Sequence, residues 1–145
     1  MQQGIASHED AQLILKLYEL RTEAVMREAR KFVVGEFWPR SADEFFVIQN
    51  DFGSEKNAYL RQVVTYWEMA ASLVLHGALS SDLFVDTCPE AFYILAKLSH
   101  ILPEIHEKLP TYLMRTMQLV ENSQAATARF ENMKKGVAAR LAAQG

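Results

Sequence analysis

The sequence carries one cysteine, Cys88, among 145 residues. A lone thiol closes no intramolecular disulfide, so the fold must rest on its core, and a reducing, cytoplasmic setting is the expectation. Between Met1 and Ser7 there is no basic region followed by an apolar core, and no signal peptide is expected. Long hydrophobic runs are missing too. The most apolar stretch, Met69 to Leu79, is too short to span a bilayer and contains His76. Basic charge is in short supply: 15 Lys and Arg stand against 18 Asp and Glu, a net charge of -3. That balance lacks the basic footprint that phosphate backbones require. No glycine-rich phosphate loop, G-x-S-x-G, H-E-x-x-H or C-x-x-C occurs. Nucleic-acid binding, membrane insertion and motif-based catalysis are therefore disfavoured, and no cofactor is indicated.

What is present is apolar residues at helical spacing. They make up 50% of the chain, enough to build a core at this length. From His8 to Val34, the positions Leu13, Leu17, Leu20, Ala24, Val25, Ala29, Phe32 and Val33 recur at threes and fours. Ser7 with Asp10 reads as a capping box, and Gly35 with Pro39 as a stop. A short helix is expected after Ser41, capped with Glu44, and Asn50 to Ser54 reads as a turn. The segment from Glu55 to His76 is apolar around most of its circumference and is expected at the centre, ending at Gly77. A short helix over Ser81–Asp86 follows. Thr87 and Glu90 then read as the capping box of a helix running to Ile101, with Pro89 in its first turn. Pro103 and Pro110 limit what comes next. A last helix runs from Thr111 towards the C-terminus, with a polar interval from Glu121 to Arg129 where a bend is expected, or a distal half that projects. No alternating pattern argues for strands. The expected fold is all-α, a compact bundle of five to six helices in one domain over 1–145, with long helices near 8–34, 55–76 and 111–143.

Three groups of residues invite a functional reading. Arg61, Glu68, Ser72 and His76 fall with Thr65 on one stripe of the central helix. The simpler reading is its solvated face. The alternative is a polar strip facing another helix or a shallow groove, with Glu68 partnered by Arg61 or by a capping N–H group. His100, Glu104 and His106 combine imidazole and carboxylate, which suits zinc or iron, although Pro103 disturbs their alignment. Phe130, Met133, Val137 and Leu141 form an apolar stripe beyond the polar interval, so residues 123–145 are expected either to fold back on the core or to pack against a partner. Cys88 sits at a helix start, where a thiolate is favoured, but no base can be placed beside it. The aromatics Phe37, Trp38, Phe45, Phe46 and Phe52 read as core.

The run Tyr66-Trp67-Glu68-Met69-Ala70-Ala71, continuing through His76-Gly77-Ala78-Leu79 to Asp82-Leu83-Phe84, resembles the best-marked segment of an uncharacterised bacterial family of helical domains of unknown function. The resemblance implies an all-helical fold with Glu68 and Gly77 in structural positions, and it implies no activity. Members of that family often carry membrane-spanning helices upstream, and none is expected in this sequence. Three functions are thus expected in order. The first is a protein-interaction or regulatory domain, with a second copy or another protein as partner. Next comes a small-molecule module with a pocket around Met69, Trp67, Tyr93 and Phe92. The last is a metal-dependent enzyme using His100, Glu104 and His106.

Overall fold

A computed structural model of the chain describes residues 5–144. Residues 1–4, the start of the stretch read for a signal peptide, and Gly145 lie outside the described residues. Among those described, every element is helical: α1 His8–Arg21, α2 Ala24–Arg30, α3 Ala42–Gln49, α4 Glu55–Leu75, α5 Ser81–Thr87, α6 Pro89–Leu98, α7 Leu102–Lys108, α8 Met114–Asn122 and α9 Gln124–Gln144. A π-helical segment, Lys31–Glu36, continues α2. The all-α expectation stands, but five to six helices is an undercount.

The undercount has a local cause. The expected helix over 8–34 breaks at Thr22 and Glu23. The Thr22 hydroxyl donates to Glu19 O at 2.8 Å, and the Glu23 carboxylate accepts from Met26 N at 3.0 Å, so one side chain ends a helix and the next starts another. The break resets the register. Leu20 and Val25, expected on the core face, are exposed, whereas Leu17, Met26 and Ala29 are buried. The expected helix over 111–143 breaks the same way at Ser123, whose hydroxyl accepts from Ala126 N at 3.1 Å. Gly35 does not act as a left-handed stop. It lies inside the π-helical segment, which runs on to Glu36.

Other local signals act as read. Ser7 and Asp10 form a reciprocal capping box. Gly77, with φ +79, ends α4. There Ala78 N donates to Leu73 O and Gly77 N to Val74 O, the paired bonds of a glycine C-cap. Thr87 and Glu90, by contrast, do not form a box. Thr87 donates to Leu83 O one turn back, the N-cap of α6 is Cys88, and Glu90 points elsewhere.

The core is centred on α4. Trp67 lies edge-on to Tyr66 and Phe84, and Phe84 to Phe92, with centroids 4.8–6.1 Å apart. Edge-to-face packing places positive ring edges against negative ring faces. The Trp67 indole N–H needs an acceptor once buried, and Glu90 supplies it at 2.8 Å. The same carboxylate receives Arg30 through Nε at 3.0–3.1 Å and Nη2 at 2.8 Å. One acidic side chain at the start of α6 therefore joins α2, α4 and α6. Arg21 packs over the Trp67 ring at 5.1 Å. Tyr66 donates its hydroxyl to Leu17 O, tying α1 down. Cys88 is buried beside Arg21 and Thr87, where it packs as a small apolar side chain. Of the aromatics read as core, Phe37 and Phe45 are buried, but Phe52 projects from the turn before α4 and is 79% exposed.

Glu90→Ala strands the Arg30 guanidinium and the Trp67 N–H together. We expect it to cost about 3 kcal/mol of folding stability, the scale of breaking one side of a poorly solvated ion pair. Glu90→Gln keeps an acceptor for Trp67 and should cost less. Urea unfolding of the three proteins measures both.

Candidate functional site

Glu68 is half-buried, whereas Arg61, Thr65 and His76 of its stripe are exposed. Helix α8 starts from Leu113, which sits in the left-handed region at φ 58 and offers no capping side chain. The missing acceptor comes from α4. Glu68 Oε1 accepts Arg115 N at 3.0 Å, and Oε2 accepts Thr116 N at 3.0 Å and the Thr116 hydroxyl at 2.6 Å. A carboxylate placed there satisfies two free N–H groups and meets the positive end of the helix dipole. The partner is the capping backbone of another helix, not Arg61.

This cap shapes a cleft of about 440 Å³ between α4 and the turn from α7 to α8, lined by Arg61, Thr65, Glu68, Lys108 and Tyr112 among others. Three members of the predicted polar stripe thus share one cleft. Ser72 and His76 do not join them: His76 is the C-cap residue of α4, and its Nδ1 lies 2.9 Å from Ser72 O. Sequence reasoning missed Lys108 and Tyr112. The hydroxyl of Tyr112 is buried without a hydrogen-bond partner among the described residues. Burial first, and then the Glu68 charge, push its ionisation well above the usual phenol range.

The second cleft, also about 440 Å³, lies among α6, α7, α8 and α9. Leu95, Leu102, Met117, Val120 and Phe130 line it, with Ser99, His106 and Glu121 as its polar groups. His106 Nε2 lies 2.8 Å from Tyr112 O. A carbonyl oxygen only accepts, so Nε2 carries the proton and Nδ1 of the neutral ring is the acceptor.

The three expected metal ligands do not converge. A turn at Ser99–Ile101 separates α6 from α7. His100 Nε2 lies 3.1 Å from Pro39 O, while His106 is turned towards Tyr112. Glu104 lies with His100 on a separate polar surface beside Arg40 and Asp43. Among the described residues no group of three or more His, Cys, Asp or Glu could hold a metal ion. Nor do the four residues proposed for a central pocket form one, since Trp67 and Phe92 are buried in the core and Met69 faces outwards.

The C-terminal apolar stripe packs within this chain. Helix α9 lies along α6 and also meets α5 and α8. Val137 is buried, Phe130 and Met133 are half-buried against the core, and Leu141 is half-buried. Near its end, the Arg140 guanidinium lies 4.2 Å from the Trp38 ring centroid. Lys97 of α6 approaches the same ring at 4.3 Å. Lys97 is only 3% exposed. It donates to Val33 O at 2.6 Å and Val34 O at 2.9 Å, carbonyls at the end of the π-helical segment. Burial, with a smaller contribution from the Arg140 charge, pulls its pKa from 10.5 down to about 7.

The fold and its clefts define an all-helical domain in which side chains from one helix cap the ends of another, leaving two ligand-sized clefts beside α8. A family model described as a domain of unknown function, DUF4760, matches residues 6–123, and the chain belongs to that family. The matched span holds α1 to α8 and stops at Ser123, just before α9. Comparison with curated proteins and with solved structures gave no match. No helix among the described residues is long and apolar enough to cross a membrane.

Two measurements check the electrostatics. Glu68→Ala should lower stability by about 2 kcal/mol, the cost of two N–H groups and a hydroxyl losing a charged acceptor. An exposed carboxylate would give about 0.5 kcal/mol or less. For Lys97, the folded pKa lies below the unfolded value, so between about 7 and 10.5 the unfolded chain binds more protons and stability rises with pH. Unfolding at pH 6.5 and pH 9 should show this gain, as conditions of roughly one group titrating, and Lys97→Met should remove most of it.

Proposed function

We propose that this chain is a small-molecule binding domain, and that its ligand sits in the cleft among α6, α7, α8 and α9. The observation that carries the reading is the lining of that cleft: a wall of Leu95, Leu102, Met117, Val120 and Phe130 with polar groups few in number. Its volume falls in the range of about 300–1,000 Å³ common to ligand sites. The apolar wall favours a hydrocarbon or aromatic body through burial. The polar groups favour donors. His106 presents Nδ1 as an acceptor and Glu121 presents a carboxylate, so an amine or hydroxyl head fits better than an acid.

The protein-interaction reading drew its support from the C-terminal stripe. Phe130 and Met133 of that stripe pack against the core and Val137 is buried, so the cleft is the better-supported reading. Helix α9 contributes Phe130 to the wall and lies beyond the family-matched span, which makes it the element that distinguishes this cleft from one built by α6 to α8 alone.

Octylamine, octanol and octanoate, followed by thermal shift and by NMR of the methyl groups, test the proposal. Saturable binding is expected in the order amine, alcohol, acid. Met117→Trp, which fills the cleft from a half-buried position, should abolish it. Glu121→Gln should weaken the amine about threefold to tenfold and leave the alcohol unchanged. No saturable binding, or binding that Met117→Trp leaves intact, would sink the reading.

A further inference from the structure

We infer that the cleft between α4 and the α7–α8 turn is a second site, one that takes a small organic anion with a carboxylate or phosphate head and an apolar body. It is a different cavity from the one above, and its charge preference is opposite.

The argument starts at Asn57, a fully buried amide at the start of α4. Its Nδ2 donates to Ile48 O at 3.0 Å and Gln49 O at 2.8 Å, the last carbonyls of α3. With the amide group held, Oδ1 is aimed at Arg61 and accepts from Nε at 2.9 Å. That bond orients the guanidinium through Nε and leaves Nη1 and Nη2 for a ligand. A planar pair of N–H donors matches carboxylate and phosphate oxygens two at a time.

Lys108, at the end of α7, lines the same cleft. Neither cation belongs to an ion pair among the described residues, where the pairs are Lys16–Glu19, Arg30–Glu90 and Lys134–Glu131. One carboxylate lines the cleft, Glu68, and both its oxygens are engaged by α8. Held there, it does not pair with Arg61 or Lys108, so two cations stand against one carboxylate in the cleft. The rest of the surface is largely apolar, with Val64, Leu109 and Pro110 beside the Tyr112 ring. An inorganic ion would leave that surface in water, whereas an organic body covers it and gains burial.

Benzoate and phenyl phosphate are the probes, titrated into the full-length protein against sodium chloride at equal ionic strength. The readout is NMR of the Arg61 side-chain Nε–H and of the backbone from Leu109 to Leu113. Saturable shifts are expected with at least one probe, and the tighter of the two identifies the head group. Lys108→Gln should weaken binding about fivefold or more, and Arg61→Lys, which keeps the charge but loses the fork, should do the same. Shifts reproduced by chloride, shifts that do not saturate, or unchanged affinity in Lys108→Gln would each overturn the inference. Among the described residues the Lys108 ammonium forms no ion pair and lies 5.0 Å from the Phe46 ring centroid, so that variant keeps the test decisive even if Arg61→Lys fails to fold. Benzylamine should leave these signals unmoved; saturable binding of it here would also contradict the inference.

Discussion

The Glu68 carboxylate at the N-terminus of α8 is the contact on which the functional half of the structure depends. Helix α8 follows two prolines and a left-handed leucine, and it has no capping residue of its own. Without an acceptor from α4, the Arg115 and Thr116 N–H groups would lose their protein partner. With that acceptor, α8 is pinned to the central helix at one fixed height. One cleft then forms between α4 and the turn that enters α8. The other forms between α8 and α6, where α9 folds back across the top.

The same device recurs throughout the molecule. Lys97 of α6 takes the last carbonyls of the π-helical segment after α2. Asn57 of α4 takes those of α3. Asp10, already engaged in capping α1, accepts Ser80 N at 2.8 Å at the head of α5, and these backbone N–H bonds hold its pKa below the usual carboxylate range. A chain of many short helices has many free ends. Each end closed by a side chain from a distant element becomes a tertiary contact with direction, which apolar packing alone does not supply.

The two clefts differ because of what their polar side chains already do. Around Arg61 and Lys108, the nearby carboxylate is bonded to α8, and neither cation is in an ion pair among the described residues. Around His106, the ring proton is committed to Tyr112 O and acceptors are left over. The two sites also share a support: Tyr112 lines the first and holds His106 in the second. Helix α9, outside the family-matched span, touches only the second of these clefts. Divergence in that helix would therefore alter one site and leave the other as the shared framework built it.

Periodicity and local capping were legible in the sequence because both act within a few residues. The Ser7–Asp10 box, the glycine end of α4 and the apolar girth of the Trp67 helix depend on spacing alone. The same locality explains the errors. Thr22, Glu23 and Ser123 break apolar patterns that continue past them, since a single capping side chain outweighs periodicity at a helix end. Glu68 and Arg61 were visible as a pair of polar positions on a buried helix, but not their division of labour. Lys108 and Tyr112 carried no signal, being exposed or aromatic residues near a proline. By itself, the sequence determined an all-helical chain with α4 at its centre, through the 3.6-residue recurrence of apolar side chains. Only the tertiary structure decided which polar groups were spent on capping and which were left to face a cleft, because each such bond joins different elements, some of them tens of positions apart.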